Sequence, residues 1–420
     1  MLKARLVPYA LIASAAIALA PPASAGTDPW AGDGGVPAFY SWDAALPAGP
    51  GVMLRTEPAP AEVSVPGAGR AERILYTSRD WRDPARTITV SGIVFLPGGK
   101  APAGGWPVIA WAHGTTGIAD ICAPSLNARS ARDKAYLGYW LARGYAIVAS
   151  DYQGLGTPGV HPYLQLRAEG MSVLDGLRAA LAHYDALSRS KLITMGQSQG
   201  AEGAIAAAYL APDYAPELNI LGTVATGIVA HTTNIRDARQ VPMPNLYPDP
   251  DDYANTAYEA LWFLGAARTS DPDAVRPEDY LSAEGLDMLA AAQTTCMRGL
   301  VQHAEKTRVP IARFYKRPTE ALEAMVVSKT AFPDVLLRTP VFVGTGLEDR
   351  DAYPAKQFNF VSAMCAAGTV VQQHYYEGAD HSSAVERSLA DSPAFLDRLV
   401  SGAGITGNCS TLQPPPGTQG

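Results

Sequence analysis

Runs of lysine or arginine are absent from this sequence, and its 33 basic residues are outnumbered by 40 acidic ones, for a formal charge of -7. A surface that tracks phosphates needs clustered positive charge, so nucleic acid is not an expected partner. Cysteine is sparse, four residues in 420. They are widely spaced, with no CxxC and no histidine group nearby, which argues against zinc and dithiol redox chemistry. No metal and no cofactor are expected, and no obligate protein partner is evident. Beyond residue 25, no apolar stretch reaches membrane-spanning length without charges or Pro/Gly breaks. Internal repeats and low-complexity blocks are also missing, so a solenoid or propeller is not indicated.

What is present is an ordinary globular balance: 47% hydrophobic and 17% charged residues, enough for a large core. The first residues stand apart from it. Lys3 and Arg5 precede an apolar stretch from Leu6 to Ala20, and Ala23-Ser24-Ala25 offers small residues where a signal peptidase reads. Residues 1–25 are therefore expected to be a cleaved signal peptide, with the mature chain secreted or periplasmic. In an oxidising compartment the even set Cys122, Cys296, Cys365 and Cys409 reads as two disulfides, with three connectivities open.

Residues 26–69 are rich in Pro, Gly and Ala and lack a clear period, which suggests an irregular arm. The Pro-rich end, residues 410–420, reads as a disordered tail. Between them, apolar β runs alternate with helical stretches. Ile88 to Val90, Ile93 to Leu96, Val108 to Ala112, Ala146 to Ser150, Leu192 to Met195, Ile220 to Thr226, Val341 to Val343 and Val370 to Tyr375 read as strands. Continuous apolar runs suit strands covered on both faces, hence a mostly parallel sheet in an α/β fold. Leu166 to Tyr184 and Tyr136 to Arg143 carry helical stripes, the second stopping at Gly144. Residues 70–229 and 334–409 form the expected core. The interval 230–333 is far longer than a crossover requires. With helical candidates at Asn255 to Arg268 and Glu284 to Lys306, it is expected to be an inserted helical cap.

Gly196-Gln197-Ser198-Gln199-Gly200 matches GxSxG, follows the strand ending at Met195 and precedes the helix-prone run from Ala201 to Ala208. That is the context of a nucleophile elbow, which lifts a strained serine above the sheet with a helix N-terminus beneath the developing oxyanion. Serine needs a base. Of seven histidines, His381 in Gly378-Ala379-Asp380-His381 follows the last strand and precedes a C-terminal helix. Histidine in turn needs a carboxylate. The loop after Val343 offers Glu348, Asp349 and Asp351; Asp349 fits G-x-x-D counted from Gly346, and Asp351 competes with it. Asp380 is disfavoured because adjacent loop residues rarely face each other. Trp111-Ala112-His113-Gly114-Thr115-Thr116-Gly117 follows a central strand and can aim a backbone N–H at an oxyanion. Thr115 is favoured as donor, then Gly114, together with Gln199 after the nucleophile. His113 reads as a structural residue of that turn.

In this order, Ala112 to Gly117, Ser150-Asp151-Tyr152-Gln153-Gly154-Leu155-Gly156, the serine motif, Gly346-x-x-Asp349 and Gly378 to His381 make the chain resemble the secretory lipase family. The resemblance runs from about Leu75 to Cys409. It implies an α/β-hydrolase fold with a large cap after the nucleophile helix, a Ser198–Asp349–His381 triad and hydrolysis of acyl esters, often lipidic, with transient contact at a lipid interface. It also implies disulfides Cys122–Cys296 and Cys365–Cys409. The spacing from Asp349 to Pro354 is longer than the family's. A serine peptidase, such as a proline-type aminopeptidase, is the competing expectation, and acidic cap residues Asp249, Asp251, Asp252 and Glu259 would favour it by reading a free amino group.

Overall fold

The computed structural model describes Asp28 and residues 30–245 and 252–416. The expected signal peptide, residues 1–25, lies outside the described residues. In chain order the strands are β1 (Met53–Pro58), β2 (Ala68–Arg79), β3 (Thr87–Pro97), β4 (Trp106–Ala112), β5 (Ala146–Ser150), β6 (Leu187–Gln197), β7 (Ile220–Thr226), β8 (Val341–Gly346) and β9 (Val371–Tyr376). They form one sheet in the order β1-β2-β3-β5-β4-β6-β7-β8-β9. The pairs β1–β2, β2–β3 and β3–β5 are antiparallel. Every pair from β5 to β9 is parallel.

The helices are α1 (Ala131–Ala142), α2 (Leu166–His183), α3 (Gln199–Tyr214), α4 (Tyr253–Trp262), α5 (Pro277–Tyr280), α6 (Ala283–Ala292), α7 (Met297–Thr307), α8 (Glu320–Thr330), α9 (Pro354–Ala367), α10 (Ser383–Arg387) and α11 (Ser392–Ser401). Successive strand residues point to opposite faces, and here both faces are covered. Val108, Ala110 and Ala112 of β4 join Val148 of β5 and Leu192 of β6 in a core with α2, α3 and α9. Ile109 and Trp111 join Ile147, Ile193 and Met195 in a second core with α1 and α11, where Trp140 is fully buried. Two dry faces explain the unbroken apolar runs.

The segment between β7 and β8 carries α4 to α8 and buries a third cluster, including Leu261, Phe263, Leu264, Met288 and Leu289, to which the main body adds Ile118 and Tyr163. The expected helix from Glu284 to Lys306 is interrupted: α6 stops at Ala292 and α7 starts at Met297, with Cys296 as its N-cap. Cys296 is bonded to Cys122, and Cys365 to Cys409, with Cα–Cα distances of 5.3 and 5.5 Å. The break in the helix lets Cys296 turn toward the loop after β4. Before α4 the described residues 231–245 form no helix, and most are exposed.

Two terminal readings need correction. The arm expected over residues 26–69 contains β1 and the start of β2; the period is hidden because β1 sits at the sheet edge and Glu57, Arg70, Glu72 and Arg73 interrupt the apolar pattern. At the other end, residues 410–416 are held in place: the Tyr375 hydroxyl donates to the Gln413 carbonyl at 2.9 Å, and Arg239 donates to the Leu412 carbonyl. Among the described residues, no helix is long and apolar enough to cross a membrane.

Candidate active site

Ser198 ends the turn after β6 and immediately precedes α3. Its φ of 58° and ψ of -124° place a non-glycine residue in a sparsely allowed region. The conformation is held by the Ser198 N–H, which donates to the Thr226 carbonyl of β7 at 2.9 Å. A Cβ on Gly196 would overlap the Gly200 carbonyl, and one on Gly200 would overlap the Ala112 carbonyl. The motif's two glycines are thus required by close backbone approach.

His381 lies between β9 and α10. Its Nδ1 donates to Asp349 Oδ2 at 2.8 Å, which leaves the Nε2 lone pair as the free one; Nε2 is buried and makes no hydrogen bond. Gly227, with a φ of 62°, makes room for the ring, since a Cβ there would lie 2.7 Å from His381 Cε1. Asp349, in the loop after β8, is fully held. Oδ1 accepts from the backbone N–H groups of Asp351 (3.0 Å) and Ala352 (2.7 Å), and Oδ2 also accepts from Gln357 Nε2 (3.0 Å). Asp351 is exposed. The structure therefore joins Asp349, not Asp351, to His381. Asp380 instead bonds Ser382 and Ser383 in its own turn.

Gln197 ties the elbow to the histidine loop: its Nε2 donates to the His381 carbonyl (3.4 Å) and its Oε1 accepts from Arg132 (3.1 Å), which also donates to Ser382 Oγ (3.3 Å). The turn after β4 passes beside the serine, because a Cβ on Gly114 would lie 3.6 Å from Ser198 Cβ. Thr115 Oγ1 pairs with Tyr163 Oη at 2.9 Å, and the Thr116 carbonyl accepts from Met297 N–H at 2.8 Å. His113 is buried, stacks on Tyr152 with centroids 4.3 Å apart and donates from Nδ1 to the Gly114 carbonyl at 2.7 Å. Burial lowers its pKa to about 4, so it is neutral at pH 7. Burial, with the Asp351 charge adding to it, pushes the Tyr258 hydroxyl of α4 above its usual pKa. Gly227, Gln357, Arg132 and Tyr163 belong to no motif; each reaches the site from a different element, and sequence reasoning missed them.

Glu202, one turn into α3, and Glu169 of α2 are both buried. Burial raises the Glu202 pKa to about 8, with Lys356 opposing; burial and the Glu202 charge hold Glu169 well above the usual carboxylate range. The folded protein thus keeps a Glu202 proton that the unfolded chain releases near pH 4.5. The Glu202 contribution to stability is expected to fall as pH rises between those values, by on the order of 1 kcal/mol per pH unit, and Glu169 adds a loss of the same sign. Glu202→Gln should flatten that slope and gain most over wild type at pH 8. Urea unfolding of both proteins at pH 5, 6.5 and 8 checks this; an offset that does not change with pH would contradict it.

Among the described residues, one group has metal-ligand geometry: Asp349, Asp351 and His381 offer atoms within 4.8 Å of one another. His381 Nδ1 already donates to Asp349 Oδ2, which suits an oriented imidazole better than a cation site. Of the acidic residues expected to read an amino group, the two described are otherwise engaged. Asp252 caps α4 through the Ala254 N–H (3.2 Å), and Glu259 accepts from the Tyr315 hydroxyl; Asp249 and Asp251 lie outside the described residues.

Residues 127–243 match the model of the secretory lipase family. Over 290 residues the chain is 25% identical to lipase A of Moesziomyces aphidis, covering 66% of this chain and 59% of that protein. Over 189 residues it is 29% identical to a secreted triacylglycerol lipase of Malassezia furfur, covering 42% and 37%. The chain thus matches less than two thirds of the length of either relative. Candida antarctica lipase A in its closed state superposes with a TM-score of 0.66 at 20% identity, covering 92% of this chain and 90% of that one. The fold is that of the α/β-hydrolases.

Proposed function

We propose that this chain, an α/β-hydrolase in fold that resembles the secretory lipases in sequence, is an exported serine carboxylic ester hydrolase acting on lipidic acyl esters. The observation that carries the reading is the strained Ser198 elbow beside a His381–Asp349 pair whose Nε2 is free. His381 Nε2 takes the proton as Ser198 Oγ attacks the ester carbonyl, and Asp349 stabilises the imidazolium. The tetrahedral oxyanion is bound by the backbone N–H groups of Thr115 and Gln199. Collapse expels the alcohol, protonated by His381, and water then hydrolyses the acyl-enzyme by the same steps. Export agrees with the two disulfides and with the signal-like residues 1–25.

The acyl chain is expected to lie beneath the segment that carries α4 to α8. Most large apolar side chains there pack into their own core, but Trp262 and Leu286 remain half-buried. Each methylene taken from water is worth about 0.8 kcal/mol, or about fourfold in specificity constant. Comparison of acetate, butyrate, octanoate and palmitate esters of one alcohol tests this. The specificity constant should rise from acetate to at least butyrate or octanoate, and aminoacyl anilides should not be cleaved. A steady fall from acetate onward would exclude the acyl pocket.

A further inference from the structure

Gln199 follows the nucleophile, yet its side chain points inward and is only 1% exposed. Its Nε2 donates to Glu169 Oε1 at 2.9 Å and to His161 Nε2 at 2.9 Å. His161 Nδ1 donates to the Gln153 carbonyl at 2.9 Å, which sets the tautomer that leaves Nε2 as an acceptor. The two anchors come from separate elements: Glu169 from α2, His161 from the loop 151–165. That same loop supplies Tyr163, whose hydroxyl pairs with Thr115 Oγ1. Near its ends, two non-glycine residues have positive φ, Tyr152 at 71° and Leu164 at 55°. Strain of this kind persists only where the surroundings enforce it.

As the first residue of α3, Gln199 has a backbone N–H with no intrahelical acceptor, so the helix ladder alone does not fix its aim. An oxyanion donor contributes through preorganisation, and one that can swing away loses part of its effect. We infer that Glu169 and His161 are positioning residues that hold Gln199 so that its backbone N–H stays aimed at the oxyanion, with Tyr163 holding Thr115 in the same way. The inference rests on the donor assignment made under Proposed function. Burial favours the protonated form of Glu169, so glutamine is a close substitute for it.

The test compares Glu169→Leu and Glu169→Gln. It reads kcat and KM for a soluble ester and the inhibition constant of a trifluoromethyl ketone with the same acyl chain. That ketone adds to the Ser198 oxygen, turning its carbonyl oxygen into an oxyanion as the serine proton passes to His381. Glu169→Leu should lower kcat by about 10- to 100-fold with KM changed less than about twofold, and should weaken the ketone by the same factor as kcat. Glu169→Gln should stay within about threefold of wild type. A folded Glu169→Leu protein with wild-type kcat, or with reduced kcat but unchanged ketone affinity, overturns the inference, as does an equal loss in Glu169→Gln. If Glu169→Leu fails to fold, Gln199→Met keeps the backbone donor and loses only the anchor; it should show the same paired loss, and wild-type values there are equally fatal. Failure of the underlying reading looks different: Ser198→Ala would retain hydrolysis, or the ketone would not bind wild-type protein.

Discussion

Replacing Ser198 with alanine is expected to lower ester turnover by about six powers of ten while leaving the fold in place. The hydroxyl is all that changes. The bond from the residue-198 N–H to the Thr226 carbonyl remains, as do the close contacts of Gly196 and Gly200 that force the turn. Alanine carries the same backbone strain at a φ of 58° as serine does. Without Oγ, His381 Nε2 has no proton to take. Water would have to attack directly, and the oxyanion donors alone give a residual rate of about 10³–10⁴ over the uncatalysed reaction. Turnover of a soluble ester and labelling by a fluorophosphonate probe should both be measured, with a urea midpoint as the control for folding. A mutant that labels at the wild-type rate removes Ser198 from the reaction.

Asp349→Asn is expected to cost about four powers of ten in kcat at neutral pH, against less than about tenfold for Asp351→Asn. The asymmetry follows from the donors around Asp349. Both its oxygens are acceptors: Oδ1 for two backbone N–H groups, Oδ2 for Gln357 and His381. An asparagine must put its NH₂ in one of these places. Facing the backbone it opposes two fixed donors; facing His381 it opposes the Nδ1 proton. The second arrangement is relieved when the imidazole moves its proton to Nε2, the tautomer that cannot accept from serine. Asp351 touches Asp349 through its backbone N–H, which asparagine retains, and its own side chain is exposed. Rates for both variants from pH 6 to 9 check the claim, and a larger loss at Asp351 would transfer the role to it.

How much of this was legible beforehand depends on where the determining contacts lie. β5 and β7 occupy the stretches expected of them, Ala146–Ser150 and Ile220–Thr226, because strands covered on both faces write an unbroken apolar run. β1 and β2 escaped notice, since antiparallel pairing at an edge tolerates the charges of Arg70, Glu72 and Arg73. At the site, the elbow is a local motif whose glycines have local causes. The choice between Asp349 and Asp351 was open because both are within reach along the chain, and the bond to His381 depends on where β8 and β9 bring their loops. Gln357, Gly227 and Arg132 gave no signal at all. A glycine after a strand acquires meaning only from a neighbour more than a hundred positions away, as Gly227 does from His381, and Gln357 acquires it only once the loop after β8 folds Asp349 back onto α9.

The Cys122–Cys296 bond closes a loop with a sequence separation of 174 residues, which removes about 5 kcal/mol of conformational freedom from the unfolded chain. It also decides what proteolysis can do. Residues 234–245 are mostly exposed and lie outside any helix or strand, the kind of segment that proteases nick first. A cut there leaves Ser198 and Cys122 on one fragment, and Cys296, Asp349 and His381 on the other. Because the disulfide spans the cut, the two pieces stay covalently joined. A nicked molecule would run as one band without reductant and as two with it.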